Sequence, residues 1–235
     1  MQRPWPTNWK GKRMPPEYFL GLDLGQAADW SALAVLERTT MPQESTVRCE
    51  HAWQFGCRGL KRWSLGTSYP AIVDNVAALV QKPPLRDAHL VIDGTGVGRP
   101  VVDMFVKAML PVEIVAVLIT AGNKQHCEDG YYHVAKVILI STLQVLLQER
   151  RLRFARALPE TATLVKELQD YRVKITPAAN EVFNAREGAH DDLLLALALA
   201  AWQGERMPPP AVLGPVVLVP GRSDPCFPSG YRIAW

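Results

Sequence analysis

What this chain lacks narrows it early. No apolar stretch in its 235 residues runs uninterrupted for the ~18 needed to cross a bilayer, so no membrane span is expected. The opening MQRPWPTNWKGKR is polar and basic with no apolar centre, so it does not read as a secretory signal. The four cysteines (Cys49, Cys57, Cys127 and Cys226) show neither CxxC pairing nor histidines at zinc-ligand spacing. They read as free thiols of a reducing, cytoplasmic compartment. A dominant charge sign is missing too: 26 Lys and Arg against 23 Asp and Glu leave a net charge of +3. That permits a polyanionic partner without requiring one. GxxxxGK[ST] occurs nowhere, so a nucleotide-driven motor is not expected of this chain.

What is present is a core. Hydrophobic residues make up 48% of the chain, enough for one generous domain with appendages. Residues 1–16, rich in Pro, Trp, Lys and Arg, read as an extended basic arm. Three strand-like runs follow: YFLGLDL (18–24), SALAVLER (31–38) and VRCEHAWQF (47–55). Short polar links between them suit an antiparallel meander. The spacing in SYPAIVDNVAALVQK (68–82) predicts a helix stopped by Pro83 and Pro84. HLVID (89–93) reads as a strand covered on both faces. The turn GTGVG, a helix over VVDMFVKAML and the strand VEIVAVLI (112–119) make a right-handed crossover and a parallel pair.

After a polar loop, residues 133–151 read as one long helix with cations near its C-terminal end, as the helix dipole favours. A helix is expected over 159–170, two short strands around a Pro-Ala-Ala-Asn turn over 171–187, and a last, very apolar helix in HDDLLLALALAAWQ. Residues 17–204 thus form the expected domain. The proline-studded stretch 205–235 reads as an extended tail.

Acids end elements that must be buried. Asp23 sits near the end of the first strand, Asp93 terminates LVID, and Asp191 and Asp192 open a helix that is apolar almost all round. Taken singly, each has a local explanation: a turn acid at Asp23, a helix cap at Asp93, an N-cap at Asp191 or Asp192. Taken together they are better explained by a metal. Buried carboxylates converging on one spot repel strongly unless a cation lies between them. All-oxygen coordination selects Mg²⁺ or Mn²⁺ over zinc, and two such ions roughly 4 Å apart can align a water and a leaving oxygen about a phosphodiester. Gly25 is then expected to leave room for the scissile backbone.

GLDLG with a second acid at Asp29, then LVIDGTGVG, then GAHDDLLLALALA, in that order, resembles the nuclease domain of phage terminase large subunits, in the ribonuclease H-like (resolvase-type) superfamily. The stretch GYYHVAKVILISTLQVLLQERRLRFA resembles the segment between the second and third acidic motifs of those nucleases. The HDD helix is the most specific part of the likeness, which covers roughly residues 17–204. The resemblance implies an α/β fold with a central mixed sheet: antiparallel strands first, then parallel ones, flanked by helices, with an added β-hairpin. It implies a two-metal endodeoxyribonuclease acting on double-stranded DNA in the bacterial host cytoplasm. The partners implied are a packaging ATPase, a portal and a small terminase subunit. Because an ATP-driven translocase precedes the nuclease in that family, the motor is expected on a separate polypeptide or on a longer parent chain.

Carried over residue by residue, Asp23, Asp93 and Asp192 become the catalytic metal ligands, with Asp191 additional or alternative. The two acids point about 100° apart on a helix. Asp192 is preferred because it shares a stripe with Ala196 and Ala200, small enough to let that face approach the sheet. His190 either orients a ligand or water or simply starts the helix. Asp29 either supports the ligands from behind or is a turn acid. Lys136 either contacts a phosphate or is solvated. Arg172, Lys174 and Arg186, with Arg3, Lys10, Lys12 and Arg13 of the arm, either follow the DNA backbone or are ordinary surface charge. The rival readings are a Holliday-junction resolvase, an actin-like nucleotide-binding protein, and a non-catalytic docking module of a packaging motor.

Overall fold

The computed structural model describes residues 15–25, 29–40, 53–97, 99–155, 157–175, 181–185 and 190–208, with backbone alone at 40, 172–175 and 181–185. All but the last two residues of the basic arm, and the tail beyond 208, lie outside the described residues. So do the side chains of Arg172 and Lys174, and the whole of Arg186.

The first two strands form as their patterns require: β1 (Glu17–Asp23) pairs antiparallel with β2 (Ala32–Thr40). Of the third expected strand, 47–55, residues 47–52 lie outside the described residues; β3 runs from Trp53 to Arg62, seven residues past the expected end. Its buried Trp53, Phe55, Cys57 and Leu60 fall out of step past Cys57, because the register slips where Val35 faces Gly59 and Leu36 faces Cys57. That bulge, with Gly56 and Gly59, hides the strand's alternation from the sequence.

Helix α1 (Tyr69–Val80) returns the chain to β4 (His89–Asp93), which lies parallel to β1. Helix α2 (Arg99–Lys107) and β5 (Glu113–Thr120) complete the crossover, β5 parallel to β4.

The expected loop and long helix are the largest departure. Residues 125–135 form a hairpin of β6 (Gln125–Glu128) and β7 (Tyr131–Ala135), and helix α3 covers only Lys136–Gln148. Asp129 and Gly130 both take positive φ, 51° and 80°. That is the two-residue turn that an Asp-Gly pair favours between strands. The cations expected at the end of α3 lie beyond it; Arg151 is fully buried. A short strand, β8 (Leu152–Phe154), then pairs parallel with β3.

Helix α4 (Thr161–Asp170) leads into the added hairpin of β9 (Tyr171–Ile175) and β10 (Glu181–Ala185). Helix α5 (Asp192–Arg206) ends two residues past the expected domain limit. The main sheet has eight strands in the order β6-β7-β5-β4-β1-β2-β3-β8. This mixed sheet, antiparallel over β1–β3 and parallel from β1 through β4 and β5 to β7, is the ribonuclease H-like arrangement expected.

Two cores cover the two faces of the sheet. One gathers α3, α4 and α5 over Phe19, Ala34, Phe55 and Val91; the other gathers α1 and α2 under Leu20, Leu22, Leu90 and Ile92. Helix α5 is buried along nearly its whole length, as its composition demands. Cys57 is free and buried, whereas Cys127 is disulfide-bonded, contrary to the reading of four free thiols. No helix among the described residues is long and apolar enough to cross a membrane.

Candidate metal centre

The parallel pairing of β1 and β4 sets Leu22 beside Ile92. One residue on, Asp23 and Asp93 therefore end neighbouring strands side by side. The same row continues from Asp93 to Val117 on one side, and from Asp23 through Ala32 to Arg62 on the other. In-register neighbours present side chains to one face, and this row faces α5. Only the methyl of Ala32 intervenes between Asp23 and Arg62.

Helix α5 reaches the row by close backbone approach. A Cβ on Gly21 of β1 would stand 1.9 Å from the Ala196 carbonyl oxygen and 2.8 Å from the Ala200 nitrogen. The Ala196–Ala200 stripe therefore lies directly on the strand, as its small residues suggested. The first turn of α5, with Asp191 and Asp192, is thereby carried over the strand tips.

Asp23 and Asp93 are each 8% exposed and Asp192 6%. Burial pushes the Asp23 carboxyl well above the usual carboxylate range, and the charges of Asp93, Asp192 and Asp191 push it further, against Lys136. Burial also raises Asp93, opposed by hydrogen bonds from Thr95 and by Lys136. Asp192 is raised by burial and by Asp191, opposed by Arg62 and His190.

Three partners hold the acids in place. Thr95 donates its backbone N–H (2.8 Å) and its hydroxyl (2.5 Å) to Asp93 Oδ1, and accepts the Ile119 N–H at 2.6 Å. Asp93 thus closes its own turn and does not cap α2. Arg62 Nη2 donates to Asp192 Oδ2 at 2.9 Å while its guanidinium stacks 4.4 Å from the Trp30 ring. Lys136 Nζ, at the first residue of α3, donates to Asp191 Oδ2 at 2.8 Å. Lys136 is therefore a partner of the acid cluster and not a solvated lysine.

The remaining candidates are less central. His190 is exposed, with Nδ1 4.0 Å from Asp192 Oδ2. Asp29 is exposed on the loop after β1. Gly25 has an intramolecular reason to be glycine: a Cβ there would lie 2.4 Å from the carbonyl oxygens of Asp29 and Trp30. The loop folds back on Gly25, which also donates its N–H to Ser31 Oγ at 3.1 Å.

Arg62 and Glu167 escaped the sequence reading. Glu167 shares the buried stripe of α4 with Leu164, and its Oε2 accepts the Leu194 N–H at 2.9 Å. It caps the first turn of α5 from outside, where Asp191 makes no side-chain cap of its own. Burial raises its carboxyl to about 7, with Asp192 adding to the shift. A lone acid on an apolar helical stripe was the available signal for Glu167; Arg62, at the end of a strand that the sequence reading stopped at residue 55, offered none.

The donor set is carboxylate oxygen throughout, in a pocket of protein where like charges crowd. This fits a hard divalent cation better than zinc or copper. The aspartate oxygens are not themselves gathered as a threesome within 4.8 Å; among the described residues that spacing is met by His126, Glu128 and His133. Two of the four aspartates lean instead on Arg62 and Lys136, cations at the oxygens that a metal would share.

No family model matches the chain. In sequence it is 26% identical over 188 residues to the large terminase subunits of Thermus phage G20c and Thermus virus P23-45, an alignment covering 80% of the chain. The chain spans 32% of the length of these relatives. The large terminase nuclease of phage G20c superimposes with a TM-score of 0.57 at 22% identity, covering 80% of this chain and 82% of that one. The same nuclease with bound magnesium gives 0.56 at the same identity, with the same shares covered. In sequence the chain is thus similar to phage terminase large subunits, and its fold is similar to that of the phage G20c nuclease domain.

Proposed function

We propose that the chain is a metal-dependent DNA endonuclease of the terminase type, and that Asp23, Asp93 and Asp192 are its metal ligands. The observation that carries this reading is the in-register pair Asp23–Asp93 beneath the acid-headed end of α5. Burial and mutual repulsion there raise Asp23 above the ordinary carboxylate range. A pair of divalent cations, Mg²⁺ or Mn²⁺, relieves that crowding. The structure of the phage G20c nuclease with bound magnesium supports this choice of ion. Asp23, central in the row, would hold the ions together with Asp192, which would serve activation of the attacking water, and Asp93, which would serve stabilisation of the leaving group. When bound, such ions lower the pKa of water and neutralise charge on the leaving 3′ oxygen.

The chain's own residues supply the rest. Thr95 fixes one oxygen of Asp93, which keeps the carboxylate from rotating away from Asp23. Arg62 and Lys136 hold Asp192 and Asp191 until metal and phosphate arrive, and Lys136 can then turn to a phosphate oxygen. Asp191 serves as an additional ligand and His190 as a partner of Asp192. The products would be a 5′-phosphate and a 3′-hydroxyl. Double-stranded DNA would lie across the strand tips, followed by Arg172, Lys174, Arg186 and the basic arm. The packaging ATPase, portal and small subunit are the proposed partners.

Plasmid nicking in Mn²⁺ tests the reading. Asp23→Asn and Asp93→Asn should each lower the rate by at least ~10³-fold with unchanged circular dichroism. Nicking retained in both variants would sink it.

A further inference from the structure

We infer a second metal centre, for a borderline transition-metal ion such as zinc, formed by His126, Glu128 and His133 on the β6–β7 hairpin. It does not depend on the nuclease reading, and it calls for a different class of ion.

The hairpin places the three ligands on one face before any ion binds. The tight Asp129-Gly130 turn sets Glu128 opposite Tyr131 and His126 opposite His133. Opposed residues, and residues two apart on one strand, point to the same face. His126, Glu128 and His133 therefore share one side of the hairpin, with Cys127 and Tyr132 on the other. The two imidazoles stack with centroids 4.6 Å apart and planes 12° from parallel. His126 Nε2 lies 3.8 Å from Glu128 Oε2, and one ligand atom from each of the three residues lies within 4.8 Å of the others.

Around a common tetrahedral ion with bonds of about 2.1 Å, ligand atoms sit about 3.4 Å apart. His126 and Glu128 are more than half exposed, so small side-chain rotations close the difference. Among the described residues neither imidazole has a hydrogen-bond partner that such a rotation would break.

The donor set selects the ion. Two neutral imidazoles and one carboxylate suit Zn²⁺, and also Ni²⁺, Co²⁺ and Cu²⁺, in preference to Mg²⁺ or Mn²⁺. Three protein ligands leave one position open to water or to an anionic oxygen. β6 is the edge strand of the sheet, so an ion here would staple that edge to β7.

The test is zinc binding by the full chain, read by competition with a chromophoric chelator in excess Mg²⁺. The panel is the wild type, Asp23→Asn/Asp93→Asn, His126→Gln/His133→Gln and Glu128→Gln. One equivalent of zinc should bind to the wild type and equally to the aspartate double variant. Affinity should fall at least ~100-fold in the histidine double variant and ~10-fold in Glu128→Gln. Zinc affinity unmoved by the histidine substitutions, or lost with the aspartates, would overturn the inference. Should the histidine variant fail to fold, the imidazole proton resonances of the wild type decide. Both sets should shift as zinc is added in excess Mg²⁺, and two unmoved sets would overturn the inference equally.

Discussion

The two ends of α5 carry opposite solutions to one problem. At its C-terminal end the helix meets two arginines buried to the last few percent of their surface. Arg38 donates to Glu17 Oε2 at 2.6 and 3.0 Å and to the carbonyls of Gly204 and Met207 at 2.6 and 2.8 Å, and its guanidinium lies over the Phe19 and Trp53 rings. Arg151 forms a two-pronged pair with Glu205 at 2.9 and 2.8 Å and bonds Glu149 at 2.7 Å. Positive charge sits at the negative end of the helix dipole, and both guanidiniums are met by carboxylates. At the N-terminal end, Asp23, Asp93, Asp191 and Asp192 crowd with Arg62 and Lys136 as their partners, and three of the acids are held above their normal titration range. One end is electrostatically closed. The other is left in deficit of cation, as the proposed metal ligands require.

Breaking the closed end should have the largest effect on stability. Removing one member of a buried, hydrogen-bonded ion pair strands the other, typically at ~3–5 kcal/mol. Arg151→Ala, which leaves Glu205 and Glu149 unmatched, and Arg38→Ala, which also uncaps α5, should each lose that much in urea unfolding. A loss below about 1 kcal/mol in both would mean that the two ends are not differently built.

Adding a divalent cation comes next. Mg²⁺ at a hundred times its dissociation constant should stabilise the fold by about 2.7 kcal/mol. The gain should vanish in Asp23→Asn/Asp93→Asn. An equal rise in melting temperature in wild type and double variant would remove the open end from the comparison. Without metal the sign reverses: near pH 8, Asp23→Asn relieves buried repulsion and should stabilise by ~1–2 kcal/mol. Destabilisation under those conditions would show that Asp23 is already satisfied within the chain.

This contrast also explains what the sequence could reveal. Asp23, Asp93 and Asp192 were legible because acids at the ends of apolar runs violate burial rules locally, in a window of a few residues. The Ala196–Ala200 stripe was legible because a small-residue face has one main use, close approach, and Gly21 meets it. Arg62 and Glu167 depend on register and helix docking instead. Arg62 reaches Asp192 across 130 positions of chain, through a strand whose bulge broke its pattern. The β6–β7 hairpin was missed for another reason. Its Asp-Gly turn signal was present, but the apolar periodicity of the following helix extends back into YYHVA and masked the strand.

The smallest expected effect sharpens the comparison, because it concerns a residue between the acid cluster and the helix it caps. Glu167 titrates near 7 in the fold, raised by burial from an ordinary value of 4.5. The folded state therefore holds a proton that the unfolded chain has already released between those values. Where the native state binds more protons, stability falls as pH rises. The contribution is absent below the unfolded value and reaches its full cost once pH passes about 7. Asp23, Asp93 and Asp192 give slopes of the same sign, so the wild-type curve alone cannot single out Glu167. Glu167→Gln keeps an oxygen acceptor for the Leu194 N–H and cannot ionise. In chelator, the two unfolding curves should therefore run together near pH ~4 and separate by about 1 kcal/mol near pH 8, with the variant more stable. Parallel curves across that range would mean that the carboxylate pays no penalty for its burial, and that the electrostatic deficit ends at the strand tips.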